Sequence, residues 1–253
     1  MIDLADYPLA VLLVSLAVLW LATLGGDFLR RRRGPLEDGE RYDLGIIQAA
    51  TMTLLALIIG FTFAMAISRY DQRKNCEAVE ANAIGTEYTR IGFLADADAV
   101  RIRKLLRDYL DQRVLFYASR DEHELARVNT DTNRLQSDLW SALEAAARTR
   151  PTPLVALTAN GMNDVLDSQG YTEAIWQNRV PRAAQILLMI TAAGCSLMIG
   201  YGTHRANRIL FLIFPLAVSI AFFLIADIDS PRRGMVHVVP ENLISVSQSL
   251  QAK

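Results

Sequence analysis

Residues 44–68 read LGIIQAATMTLLALIIGFTFAMAIS, bounded by Asp43 and Arg69, and contain no charged side chain. Lipid offers the backbone no hydrogen-bond partners, so such a stretch is stable in a bilayer only as a helix. Crossing a hydrocarbon core about 30 Å thick takes roughly 20 residues of helix. Three further uncharged runs flank this one at a distance: residues 7–26, 183–204 and 209–226. The four therefore fall two and two around a polar insert, residues 69–181. The fold class this predicts is an all-α membrane protein, with four transmembrane helices in two pairs and a helical extramembrane domain between the second and third. The domain boundaries that follow are 1–68 for the first pair, 69–181 for the insert, 182–229 for the second pair and 230–253 for a C-terminal tail.

The insert carries the helical pattern onward. The chain has eight prolines, and none lies between residues 36 and 150. The second run thus continues through SRYDQRKNCEAVEANAIGTEYTRIGFL without a breaker of that kind. A helix continuous from Leu44 to Leu94 is expected. Apolar residues at spacings of three and four then mark amphipathic helices over 97–118 and 121–149. Pro151 and Pro153 break the chain. Beyond them the pattern predicts a shorter amphipathic helical segment over 154–166, and residues 171–178 lead to Pro181.

Composition excludes more than it assigns. The formal net charge of −1 gives no electrostatic footprint for nucleic acid. Cys76 and Cys195 do not make a disulfide framework. His123, His204 and His237 lie far apart in sequence, and no phosphate loop or nucleophile motif occurs, so neither a metal, a cofactor nor a catalytic role is expected. The first run follows two Asp and precedes Arg30, Arg31, Arg32 and Arg33, which fits an uncleaved anchor better than a signal peptide. Lys and Arg accumulate on cytoplasmic loops. On that ground the N-terminus, insert and tail are expected outside and both short loops inside, in a bacterial inner membrane.

Within the second run, Gln48, Thr51, Leu55 and Thr62 share a helical stripe, a candidate pore lining. The other reading is that the hydroxyls bond their own backbone. Ala56, Gly60 and Ala64 form a small-residue ridge, as do Ala192, Ser196 and Gly200 in the third run, and such ridges let helices approach closely. No charge lies inside any run, which argues against a proton-coupled transporter. It is compatible with an apolar pore that gates by dewetting. Arg69, Asp71, Arg73, Glu77, Glu80, Asp227 and Asp229 cluster at the run ends. A homo-oligomer would repeat them as rings at a pore mouth; the alternative is that they pair with one another.

The stretch LLALIIGFTFAMAISRYDQRKNCEAVEANAIGTEYTR resembles the bestrophin-like family of bacterial and plastid membrane proteins. The residues that carry the likeness are Phe61, Thr62 and Phe63, then Arg69 and Arg73, then Glu80 to Thr86 with Tyr88. A closing motif is similar at Pro231 and Gly234, with Arg232 in place of an aromatic. The resemblance implies the layout of bestrophins: pentameric anion channels with four spans and a helical domain between the second and third. Bestrophins keep that domain in the cytosol, whereas the charge argument here places it outside, so no calcium-sensing residue is carried over. Two functions are therefore expected of this chain. One is an oligomeric channel for small inorganic ions; the alternative is a membrane-anchored sensor or scaffold whose helical domain binds a partner.

Overall fold

The computed structural model describes residues 6–34, 36–203 and 210–251. His204, Arg205 and Arg208 lie outside these described residues. Among them, every regular element is helical. Helix α1 is Pro8–Arg33, α2 is Asp38–Arg90, α3 is Asp96–Ala118 and α4 is Glu122–Thr149. Helix α5 is Pro153–Gln177, α6 is Arg182–Gly202, α7 is Leu210–Asp229 and α8 is Glu241–Gln251. Four of the helical stretches are long and apolar enough to cross a membrane, and each covers most of one uncharged run.

Local chemistry explains most boundaries. Helix α1 outlasts its apolar run because Asp27 binds Arg30 and Arg31 one turn on, at 2.7 and 2.8 Å. Four Arg in the last turn also suit the negative end of the helix dipole. It stops at Gly34, whose φ of 94° a side chain would oppose. Helix α2 runs unbroken for 53 residues and ends in a short 3₁₀ turn, Ile91–Phe93. Asp121 caps α4 by accepting from the His123 N–H, and Thr152 caps α5 by accepting from Val155 N–H, with Pro153 in the first turn.

One expectation is corrected. The helical segment expected over 154–166 runs on to Gln177 as a single helix, α5, because Gly170 inside it costs only about 1 kcal/mol relative to alanine. In the C-terminal tail, Pro240 precedes an 11-residue helix, α8, whose Leu243 and Leu250 are buried.

The chain divides into two compact units. The first comprises Met1–Tyr70 and Arg179–His237, hence α1, the apolar part of α2, α6 and α7. Here α1 packs on α6 and α7. Gly200 makes the α1–α6 crossing close. A Cβ there would stand 1.9 Å from the Thr23 carbonyl oxygen, and one on Gly26 would stand 2.1 Å from that of Leu197. The core is Leu19, Leu55, Leu188, Ala192, Cys195, Val218 and Phe222. The second unit comprises Asp71–Asn178 and Val238–Lys253. In it α3 packs on α4 and α8, and α4 on α5.

Candidate functional site

In the first unit, the uncharged part of α2 has two unlike faces. Leu55 and Thr62 are 2% and 1% exposed, Gln48 and Thr51 half-buried. Leu55 belongs to the core formed with α1, α6 and α7. The structure thus corrects the expectation that Leu55 and Thr62 line a pore, since both are covered by their own chain. Hydrophobic packing took the stripe inward, and the hydroxyls found partners one turn back. Thr51 donates to the Ile47 carbonyl at 2.7 Å and Thr62 to that of Ile58 at 2.8 Å.

At 3.6 residues per turn, the face opposite Leu55 and Thr62 carries Ile46, Ala50, Thr53, Leu57, Gly60 and Ala64. All six are exposed. Ala56 is exposed as well, and a Cβ added at Gly60 would meet nothing within 4 Å. The Ala56–Gly60–Ala64 ridge is therefore uncovered in the single chain. The ridge on α6 differs: Ala192, Ser196 and Gly200 are all buried, with Gly200 at the α1 crossing.

Five of the charges at the run ends, Arg73, Glu77, Glu80, Asp227 and Asp229, have structural partners. In the first unit, the Asp227 carboxylate accepts from the Met235 and Val236 N–H groups at 2.7 and 3.0 Å, closing the turn after α7. Gly234 in that turn admits no side chain, because a Cβ would stand 2.1 Å from the Asp227 carbonyl oxygen. Asp229 accepts from Val180 N–H at 3.1 and 3.2 Å and so ties the end of α7 to the start of α6. Arg69 is half-buried in this unit.

In the second unit, Glu80 is wholly buried at the meeting of three helices. Arg113 of α3 donates to it through Nε, Tyr117 of α3 through its hydroxyl at 3.1 Å, and Thr172 of α5 at 3.3 Å. The Arg113 guanidinium also lies over the Phe116 ring at 4.4 Å. Phe116, Tyr117 and Trp176 stack edge to face around the pair, with centroids 5.1–5.5 Å apart. Burial alone lowers the Arg113 pKa. Glu80, together with Tyr109 and Tyr117 of α3, outweighs that and holds it above its ordinary value. Burial pushes the Tyr117 phenol up, and the adjacent Glu80 pushes it further. Both effects keep the phenol a donor.

Glu77, one turn earlier on α2, accepts from Asn242 Nδ2 at 2.6 Å and from the Leu243 N–H at 2.9 Å. It caps α8 from outside that helix and anchors the C-terminal segment. Arg73 is buried and reaches the Asn178 carbonyl at 3.5 Å, while Asp71 is exposed. Glu77, Glu80, Asp227 and Asp229 are thus at most 3% exposed and engaged within the chain, which leaves none of them free to form a ring.

Sequence reasoning missed Arg113, Tyr117, Thr172 and Asn242. They lie 33, 37, 92 and 165 residues from the carboxylates they bind. No short-range pattern connects them. It also missed Glu87, whose two carboxylate oxygens are buried and have no hydrogen-bond partner. Burial raises its pKa to about 8, against the pull of Arg90 and with help from Asp164. Gly161 of α5 provides the space for it: a Cβ there would stand 2.0 Å from Glu87 Oε2. Among the described residues, no three His, Cys, Asp or Glu side chains are grouped to hold a metal ion.

The comparisons with known proteins agree with this geometry. Crystal structures of a bacterial bestrophin homologue from Klebsiella pneumoniae superpose over nearly the whole chain. One, of a point variant, gives a TM-score of 0.65 at 15% identity and covers 97% of this chain and 98% of that one. A second variant gives 0.66 at 14% identity, covering 96% and 97%. A third structure of the homologue gives 0.65 at 15% identity, covering 96% of each. At this identity the likeness is one of fold. No curated protein matches in sequence. The model of the Bestrophin-like domain matches residues 12–243, nearly the whole chain, and the chain belongs to the Bestrophin-like family.

Proposed function

We propose that this membrane protein is one subunit of a homo-oligomeric ion channel, and that the exposed face of α2 lines its pore. The observation that carries this is the contrast between the two faces of one uncharged helix. Leu55 and Thr62 pack inward, while Ile46, Ala50, Thr53, Leu57, Gly60 and Ala64 are left uncovered. Family membership supports the reading. Four spans are too few to enclose a water-filled path within one chain, so the path lies on a symmetry axis between copies. An exposed face of small, apolar and hydroxyl residues suits a constriction that opens by wetting. Ala56, exposed at the edge of this face, leaves room for a helix from a second copy to approach.

The test is cysteine accessibility in planar bilayers. Currents through Leu57→Cys should fall on adding a charged methanethiosulfonate reagent, and those through Thr62→Cys should not. A wild type without currents overturns the channel itself. Block at Thr62→Cys but not at Leu57→Cys overturns the assignment of the face.

A further inference from the structure

The four consecutive Arg that end α1 are not equivalent. Arg30 and Arg31 both bind Asp27, at 2.7 and 2.8 Å. Arg33 reaches Glu40 at 3.3 Å across an exposed pair that contributes little. Arg32 has no carboxylate partner among the described residues; its guanidinium lies over the Phe28 ring at 4.5 Å. Arg32 and Arg33 stand beside a cleft of about 560 Å³ in the first unit. The rest of its lining is Leu29, Leu44, Leu197, Met198 and Tyr201, contributed by α1, α2 and α6. The cleft thus joins two chemistries: a cationic pair at the end of an apolar run, and an apolar trough formed by that run and its neighbours.

We infer that this cleft is a binding site for an anionic phospholipid, with the phosphate on Arg32 and Arg33 and an acyl chain along Leu29, Leu44, Leu197 and Met198. A soluble anion would use the arginines and leave the apolar lining in water. A zwitterionic lipid would fill the lining but bring its own cation to the arginines. Only a lipid with net negative charge satisfies both halves. A guanidinium fork matches phosphate oxygens in geometry as well as charge. Basic pockets between membrane helices recognise acidic head groups in this way, with about 1 kcal/mol from each Lys or Arg near the surface.

The experiment is a lipid titration of the full chain in detergent, read by native mass spectrometry. Dioleoyl phosphatidylglycerol should bind the wild type at least tenfold more tightly than dioleoyl phosphatidylcholine. Arg32→Gln combined with Arg33→Gln should weaken phosphatidylglycerol by roughly thirtyfold, which is two contributions of that size. Both side chains are exposed, so the variant keeps its fold. Arg148→Gln, an exposed arginine of α4, should leave binding unchanged, and Leu197→Trp should weaken it by filling the trough. Equal binding of the two lipids, an unaffected arginine pair, or an equal loss in Arg148→Gln would each overturn the site. So would retention by Leu197→Trp, or displacement by millimolar inorganic phosphate, which would make the cleft an anion site without a lipid.

Discussion

The two units satisfy their polar groups by opposite means. In the first, three buried hydroxyls turn back on their own helix. Ser15 donates to the Leu12 carbonyl, Thr23 to Leu19 and Thr62 to Ile58, each about one turn back. In the second, buried carboxylates and a guanidinium bond across the bundle, from α2 to α3, α5 and α8. The difference follows from what each surface meets. Exposed residues of the first unit include Leu54, Phe61, Leu187 and Ile190, which suits hydrocarbon and leaves charge no outlet except at the helix ends. The second unit has a wet surface and can hold a charge inside when every partner is supplied. Local satisfaction makes a helix self-sufficient; long-range satisfaction makes a bundle interdependent.

The largest effect expected from that interdependence is at Glu80. Arg113→Met removes a buried cation and leaves the Glu80 carboxylate uncompensated, which should cost about 3–5 kcal/mol. Thermal unfolding in detergent, followed by tryptophan fluorescence, reports this through Trp176 beside the pair. Combining Glu80→Met with Arg113→Met should recover most of the loss, because well-packed apolar groups replace such a pair at little cost. A double variant no better than the single would mean that Glu80 matters for its links to Tyr117 and Thr172 rather than for its charge.

This contrast also explains what could be read from the chain. Membrane runs announce themselves because lipid imposes one answer, so the four spans follow from residues 44–68 and their three counterparts. The unbroken α2 was legible from missing prolines. The faces of α2 were not. Gln48, Thr51, Leu55 and Thr62 do share a stripe, but which stripe turns inward depends on Leu19, Leu188 and Phe222 from other helices. The partners of Glu77 and Glu80 were equally hidden, since a carboxylate reads as surface until the residue that buries it is known. In α8, Pro240 and a few apolar residues among polar ones were visible, but the segment was too short to be told from a loop.

A smaller effect tests whether the second unit can leave a carboxyl unsatisfied. Glu87 is buried without a partner, and its pKa is raised to about 8 from 4.5. Between these values the folded chain holds a proton that the unfolded chain has lost, so stability falls as pH rises through this window. Below about pH 4.5 both states are protonated and nothing is lost. Glu87→Gln removes the penalty. It should leave the unfolding temperature unchanged at pH 4 and stabilise by roughly 2 kcal/mol at pH 9. An equal gain at both values would trace the effect to packing against Gly161 rather than to the proton.

The smallest expected effect sets the two units side by side with one substitution. Thr62 and Thr172 are both buried, and both hydroxyls bond the residue four earlier, at Ile58 and Ser168. Thr172 also reaches Glu80, at 3.3 Å. Thr62→Val should cost less than about 1 kcal/mol, because the Ile58 carbonyl keeps its helical N–H and no buried group is orphaned. Thr172→Val withdraws a donor from a buried carboxylate and should cost about 1.5–3 kcal/mol, the range for a hydrogen bond to a charged group. The comparison needs only the difference between two unfolding temperatures measured in the same detergent. Equal losses would mean that α2 depends on its hydroxyl as the bundle does on Glu80, and that the first unit is not self-sufficient helix by helix.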